Sequence, residues 1–213
     1  MRLLKDERMS RSSTTDFFDR RAAEWERLCY PPEVVSRLEA FFPEFGVKEG
    51  ESILDVGTGT GILIPLLRRA TGTNGRVCAI DLSEPMVREA YKKRAHICDV
   101  LLVADVHNLP FKSKVFDRVI CFAAFPHFCD PGGALREMAR VLKCDGVVKG
   151  ELVIAHLLSR EELAEHHARH PEVMSHRLPD DITMEKLFGA AGLRLTKIID
   201  RPGRYLAHGV VNW

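Results

Sequence analysis

From Ser52 onward, apolar residues come in short unbroken runs, separated by longer stretches in which apolar and polar positions alternate at helical spacing. The runs are ILDV (53–56), RVCAI (76–80), DVLLV (99–103), DRVICF (117–122) and VVKGELVIA (147–155). Runs this short and this apolar predict strands buried on both faces. The stretches between them, 61–70, 85–94 and 133–142, predict helices. Alternation of buried strand and amphipathic helix predicts βαβ units, hence an α/β fold of the Rossmann-like, doubly wound kind around a mostly parallel sheet.

The flanks read differently. Segment 16–29 (DFFDRRAAEWERLC) sets Phe17, Phe18, Ala22, Trp25 and Leu28 at helical spacing, with Thr15 or Asp16 placed to cap it. Pro31 and Pro32 restart the chain, and 34–42 predicts a second helix that stops before Pro43. Beyond Ala155 a polar, histidine-rich stretch runs to about residue 181, followed by a helix over 183–191 that Gly192 ends. Two strand-like segments, 193–200 and 205–213, joined through Pro202 and Gly203, predict a terminal hairpin. The expected organisation is an N-terminal helical unit over 1–50 and one α/β domain over 51–213, interrupted by a histidine-rich helical insert at about 156–181.

Composition narrows the function classes. Of 213 residues 46% are hydrophobic and 29% charged, the balance of a globular domain. A net charge of +1 provides no global field to draw nucleic acid or anionic lipid, so neither is expected as a partner. No stretch approaches the roughly 20 apolar residues of a bilayer span, and Met1 to Ser13 lacks the apolar centre of a secretory signal. Cys29, Cys78, Cys98, Cys121, Cys129 and Cys144 are scattered without a CxxC pair, which fits a reduced, cytoplasmic setting.

The most informative stretch is Ile53-Leu54-Asp55-Val56-Gly57-Thr58-Gly59-Thr60-Gly61-Ile62, where a buried strand delivers a glycine-rich turn into a helix. Without Cβ atoms such a turn can bend sharply and lie flat against a ligand. The spacing is GxGxG, and Ile62 stands where a dinucleotide fingerprint has its third glycine. Asp55 suits a cationic amino-acid ligand better than a pyrophosphate. Asp81 ends the second strand, where its two oxygens can accept both hydroxyls of a ribose, and Met86 follows one turn into the next helix. Asp105 follows the third strand and can accept from an adenine amino group. Each acid alone reads equally well as a helix cap. Three at successive strand ends beside a glycine loop outline one ligand crevice.

These residues resemble the motifs of class I S-adenosylmethionine-dependent methyltransferases, in particular the small-molecule branch that includes the ubiquinone and menaquinone C-methyltransferases. The likeness spans about 17–150 and rests on ILDVGTGTG (53–61), AIDLSEPMV (79–87), ADVHNLPF (104–111), FDRVICF (116–122) and ALREMARVLKCDGVV (134–148), with Cys144 and Asp145 where the family usually has proline and glycine. The resemblance implies a seven-stranded sheet with an antiparallel last strand, the terminal hairpin supplying strands six and seven. It implies S-adenosyl-L-methionine as cofactor, with Asp55, Gly57 and Gly59 holding the methionine part, Thr58 and Gly61 of the same loop also cofactor-binding, and Asp81 on the ribose. Asp105 and Val106 would meet the adenine, Leu82 and Met86 would flank it, and Cys121 and Phe122 would lie beneath the sulfonium. It also implies that the N-terminal helices close over the cofactor, which makes Phe18 and Trp25 lid candidates.

Methyl transfer needs alignment and removal of water, and a base only for a protonated acceptor. His127 is the one near-neutral titrating group in Cys121 to Asp130 (CFAAFPHFCD), the segment leaving the fourth strand, so it is the candidate base or acceptor-orienting residue. It can equally be a loop histidine bonded to backbone. His156, His166, His167, His170 and His176 crowd the insert. Ser159 opens a capping box, which predicts a helix over 160–169 with His166 and His170 one turn apart. Such a pair can chelate a metal if a third ligand approaches, but the preferred reading is a solvated face with His156 turned to the site and no metal. The expected partner is a small-molecule, possibly lipophilic, acceptor. Two other functions use the same elements, an NAD-linked oxidoreductase and a non-catalytic nucleoside-binding module.

Overall fold

The computed structural model describes residues 14–145 and 149–212. Its strands are β1 (Ser52–Val56), β2 (Arg76–Asp81), β3 (Val100–Val103), β4 (Arg118–Phe122), β5 (Glu151–His156), β6 (Leu193–Arg201) and β7 (Arg204–Val211). They form one sheet in the order β3-β2-β1-β4-β5-β7-β6. The pairs β1–β2, β1–β4, β2–β3 and β4–β5 are parallel, while β7 runs antiparallel to both its neighbours. The predicted α/β sheet with seven strands and an antiparallel seventh is the observed one.

Its helices are α1 (14–21), α2 (Trp25–Cys29), α3 (Pro32–Phe41), α4 (Ile64–Thr71), α5 (Glu84–Arg94), α6 (Pro131–Val141), α7 (Arg160–His167) and α8 (Asp181–Ala190). Local chemistry sets several starts. A proline opens α3 and α6, where its missing N–H costs nothing. Ser83 caps α5 by accepting from the Met86 N–H at 3.2 Å, and Ser159 and Glu162 form the predicted capping box of α7.

The central strands carry apolar side chains on both faces. On one side Leu54, Val56, Cys78, Ile80, Val119, Cys121, Leu152 and Ile154 pack with α6 and α8. On the other Ile53, Val77, Ala79, Ile120, Phe122, Val153 and Ala155 pack with α3 and α4. The period of two explains why these runs read as continuously apolar.

Several element ends shift by one or two residues, and four differences have a local cause or consequence. The helix expected over 61–70 starts at Ile64, because Gly59 and Gly61 hold left-handed backbone (φ +56° and +83°) that no α-helix contains. The strand expected over 147–155 starts at Glu151, preceded by an isolated antiparallel bridge between Cys144 and Lys149; residues 147 and 148 lie outside the described residues. The single helix expected over 16–29 is split by a 3-10 turn at Ala22–Glu24, where buried Ala22 lets the chain pack close to α5. The insert helix ends at His167, so His170 lies beyond it. The predicted hairpin is present as Leu193–Arg201 and Arg204–Val211, its second strand ending before Asn212; Trp213 lies outside the described residues.

Candidate active site

The C-terminal ends of β1 to β4 open into a cavity of about 520 Å³, within the range of small-molecule sites. Among the predicted residues, Asp55, Gly57, Thr58, Gly59, Asp81, Leu82, Met86, Asp105, Val106, Phe122 and His127 all line it, as do Phe18 and Trp25 from the N-terminal helices.

Each acid occupies a defined electrostatic setting. Asp55, the penultimate residue of β1, is buried, and its Oδ2 accepts from the Thr58 hydroxyl at 2.7 Å. Burial pushes its carboxyl up to about 7, the Thr58 bond opposes that rise and nearby Asp81 adds to it. Asp81 accepts from the backbone N–H groups of Ser83 through Oδ1 and Gly59 through Oδ2, both at 2.8 Å. Burial still lifts its carboxyl above the usual range. Asp105 caps the short turn after β3, its Oδ1 accepting from the His107 N–H at 2.9 Å and lying 2.6 Å from His107 Nδ1. The cap reading and the crevice reading of Asp105 therefore hold together in one residue.

The glycine loop is shaped by contacts. Gly57 has φ +72°, and a Cβ there would sit 2.3 Å from the Ala124 Cβ, so the β1 loop and the β4 loop touch at this point. A Cβ on Gly59 would meet nothing within 4 Å, which leaves open space at the middle of the loop. Thr60 lines the cavity with a buried hydroxyl that has no partner among the described residues. A cationic amino acid for Asp55, ribose hydroxyls for Asp81 and a donor-rich ligand edge for Thr60 fit an adenosyl amino-acid group.

Two assignments need correction. Gly61 does not line the cavity; its missing Cβ makes room for Ile64, Ala90 and Arg94, so it serves packing between loop and helices. Cys121 also lies away from the cavity, wholly buried in the α6 side of the core, since alternation along β4 sends its neighbour Phe122 the other way. Thr58 lines the site, while its hydroxyl is engaged in holding Asp55. His156 stacks on Phe122 with ring centroids 6.5 Å apart, behind the cavity wall.

The sequence reading missed Thr60, His107, Cys129 and His176, which all line the cavity. His176 was visible only as one of several insert histidines. Thr60 carried a signal, since a hydroxyl inside a glycine loop between buried elements needs a partner. His166 and His170 do approach, at 5.6 Å between ring centroids. Among the described residues no group of three His, Cys, Asp or Glu side chains is arranged to hold a metal ion.

Residues 54–149 match the family model described as a methyltransferase domain. Over that segment the chain resembles class I S-adenosylmethionine-dependent methyltransferases. It is similar to the demethylmenaquinone methyltransferase of Staphylococcus aureus, at 40% identity over 106 residues, 49% of this chain and 44% of that protein. An uncharacterized protein of Methanocaldococcus jannaschii is 33% identical over 132 residues, 62% of this chain and 48% of that one. The chain thus spans about half the length of the curated relatives it matches. Among solved structures, a SAM-dependent methyltransferase of Aquifex aeolicus superposes with a TM-score of 0.70 at 26% identity, covering 89% of this chain and 98% of that one. Among the described residues no helix is long and apolar enough to cross a membrane.

Proposed function

We propose that this chain transfers a methyl group from S-adenosyl-L-methionine to a small-molecule acceptor. The observation that carries the reading is the convergence of the glycine loop with three strand-end acids, Asp55, Asp81 and Asp105, on one cavity, with Asp55 buried and, among the described residues, without a cationic partner.

Asp55 with Gly57 and Gly59 holds the amino-acid end, Asp81 the ribose, and Asp105 with Val106 the adenine, flanked by Leu82 and Met86. Bound S-adenosyl-L-methionine supplies an electrophilic methyl on a sulfonium, open to in-line displacement. The chain's task is then to align the acceptor and keep water out. Phe18 and Trp25, with ring centroids 5.4 Å apart, cover the cavity from the N-terminal helices, and Asp19 accepts from the Ser83 hydroxyl at the α5 cap. These contacts support a lid role for the N-terminal unit. His127 orients the acceptor from the β4 loop.

The domain match ends at residue 149, before the insert that contributes Ser175, His176 and Arg177 to the cavity wall. The acceptor side of the cavity therefore combines His127 from the matched segment with residues outside it, and the quinone relatives inform the cofactor half. The six thiols support a reducing, cytoplasmic setting.

Calorimetry with S-adenosylhomocysteine and, separately, NADH tests the reading. Binding of the first alone is expected; binding of NADH alone would replace it with a nicotinamide enzyme. Transfer of labelled methyl groups to small molecules of a cell extract then separates an enzyme from a module that only binds.

A further inference from the structure

Nδ1 of His127 lies 2.8 Å from Nδ1 of His176. Two lone pairs or two protons facing each other at that distance would repel, so one nitrogen carries hydrogen and donates to the other. His176 is anchored for this contact. Its carbonyl oxygen accepts from Nδ1 of His167 at 2.8 Å and from Nη1 of Arg177 at 3.2 Å. Because a carbonyl only accepts, neutral His167 keeps its proton on Nδ1. His156 is the converse: its Nδ1 accepts from the Leu158 N–H at 2.9 Å, so its proton sits on Nε2.

The rings form one cluster, with centroids 5.1 Å apart for His127 and His167 and again for His127 and His176. Burial, then the neighbouring imidazoles, hold His127 well below the ordinary histidine range, and burial takes His156 down to about 3. Burial, then neighbouring imidazoles and the Arg177 guanidinium, also lower His167 and His176, with the bond to the His176 carbonyl opposing the fall at His167. All four are uncharged at neutral pH. The cavity's lining acids, Asp55, Asp81 and Asp105, stand at the tips of β1 and β2 and just after β3, and none of them is among the charged groups that act on His127 or His176, where Arg177 is the only charged neighbour among the described residues. An ammonium entering there would meet uncharged rings and a guanidinium, with no counter-charge. An uncharged O–H or N–H would meet hydrogen-bonding nitrogen under an aromatic cover, since Phe18 lies edge-on to His127 at 5.0 Å. Among the described residues nothing bonds to Nε2 of either ring, and neither atom is enclosed.

We propose that His127 and His176 are a proton relay for an uncharged protic acceptor, His127 offering the Nε2 lone pair to the acceptor's O–H or N–H while its Nδ1–H donates to His176 Nδ1. The inference rests on the methyltransferase reading above. As the acceptor atom bonds to the methyl carbon, the C–S electron pair stays on sulfur. The acceptor's proton moves to His127 Nε2, the Nδ1 proton passes to His176 Nδ1, and the Nε2 proton of His176 leaves to water. Exchange with water resets both tautomers once the product departs. His176 acts through His127 and is a positioning residue.

The test uses the full chain, 15N-labelled and saturated with S-adenosylhomocysteine, read by long-range 1H–15N correlation at neutral pH. Phenol and benzylamine serve as probes of similar size, one uncharged and one cationic. The expected result is an Nδ1–H tautomer for His127, an Nε2 shift on adding phenol, and none on adding benzylamine. Phenol affinity should fall about fivefold in His176→Leu, the loss of one hydrogen bond, and recover in His176→Gln, whose amide oxygen still accepts from Nδ1–H; S-adenosylhomocysteine affinity should hold in both. An Nε2–H tautomer of His127, benzylamine binding as tight as phenol, or equal losses in the two variants would overturn the relay. Those results with intact S-adenosylhomocysteine binding would leave the methyltransferase reading standing, whereas failure of the native chain to bind S-adenosylhomocysteine would remove that reading and the acceptor assignment with it.

Discussion

The backbone N–H of Gly59 donates to Oδ2 of Asp81 at 2.8 Å, fastening the loop after β1 to the tip of β2. With Ser83 on its other oxygen, the carboxylate has two bonds and still has lone pairs to offer a ligand's hydroxyls. Asp81 thus shapes the loop and, on the proposed function, recognises the ligand at once.

Asp81→Ala is expected to weaken S-adenosylhomocysteine binding by about 1 to 3 kcal/mol, since the ribose hydroxyls lose a charged acceptor. Calorimetry measures it directly. Unchanged affinity would remove Asp81 from the ribose.

Ligand affinity should depend on pH through Asp55. With its carboxyl up to about 7 in the empty site, most of it is protonated at pH 6 and must ionise to meet an ammonium. Affinity for S-adenosylhomocysteine should therefore fall roughly tenfold from pH 8 to pH 6. Stability runs the other way. A carboxyl whose folded value is raised destabilises the fold at pH above that value, and the cost disappears as pH falls through 7 toward its ordinary 3.8. Asp55→Asn should accordingly raise the melting temperature at pH 8 while weakening binding; a melting temperature that drops would contradict the burial argument.

Gly57→Ala and Gly59→Ala should separate packing from ligand contact. Both residues have positive φ, so each alanine costs about 1 to 2 kcal/mol of backbone strain. Gly57→Ala also drives a methyl into Ala124, so it should show the larger fall in melting temperature. Gly59→Ala has room in the unliganded loop, and its main effect should be on S-adenosylhomocysteine affinity. Equal melting temperatures would mean the two loops can part.

At the opposite end of the sheet, buried Arg118 joins Glu51 and Glu151, its Nη1 donating to Glu151 Oε2 at 2.7 Å. His208 Nε2 lies 2.7 Å from the same oxygen. The His208 bond, then Arg118, brings the Glu151 carboxyl down to about 2, against the pull of burial. A depressed acid stabilises the fold above its ordinary value, here 4.5, and that contribution is lost as pH falls through 4.5 toward 2. Denaturant midpoints should show Glu151→Gln less stable by about 1 kcal/mol at neutral pH, since solvent screens a half-buried group, the gap closing across that acid range. A gap that stays constant to low pH would assign the loss to packing.

What the sequence determined was local. The strand-turn-helix at 53–64, the acids at successive strand ends and the capping box at Ser159 are each written within a few neighbouring residues, because backbone sterics and hydrogen bonding act over that range. The alternation of strand and helix then pointed to a mostly parallel sheet, while the antiparallel last strand came from the family resemblance and the strand order from the fold itself. Cys121 was legible too: it sits one residue from Phe122, and strand periodicity alone puts the two on opposite faces.

Only the tertiary structure decided which histidine meets which. His127 and His176 are 49 residues apart and no local pattern links them; their contact depends on how the insert folds back over the end of β4. The same holds for the role of Gly61, fixed by side chains from α5 as well as its own helix, and for the charge on Asp55, which follows from burial. Packing between distant segments sets the electrostatic environment of a side chain, and that environment is written only in the folded chain.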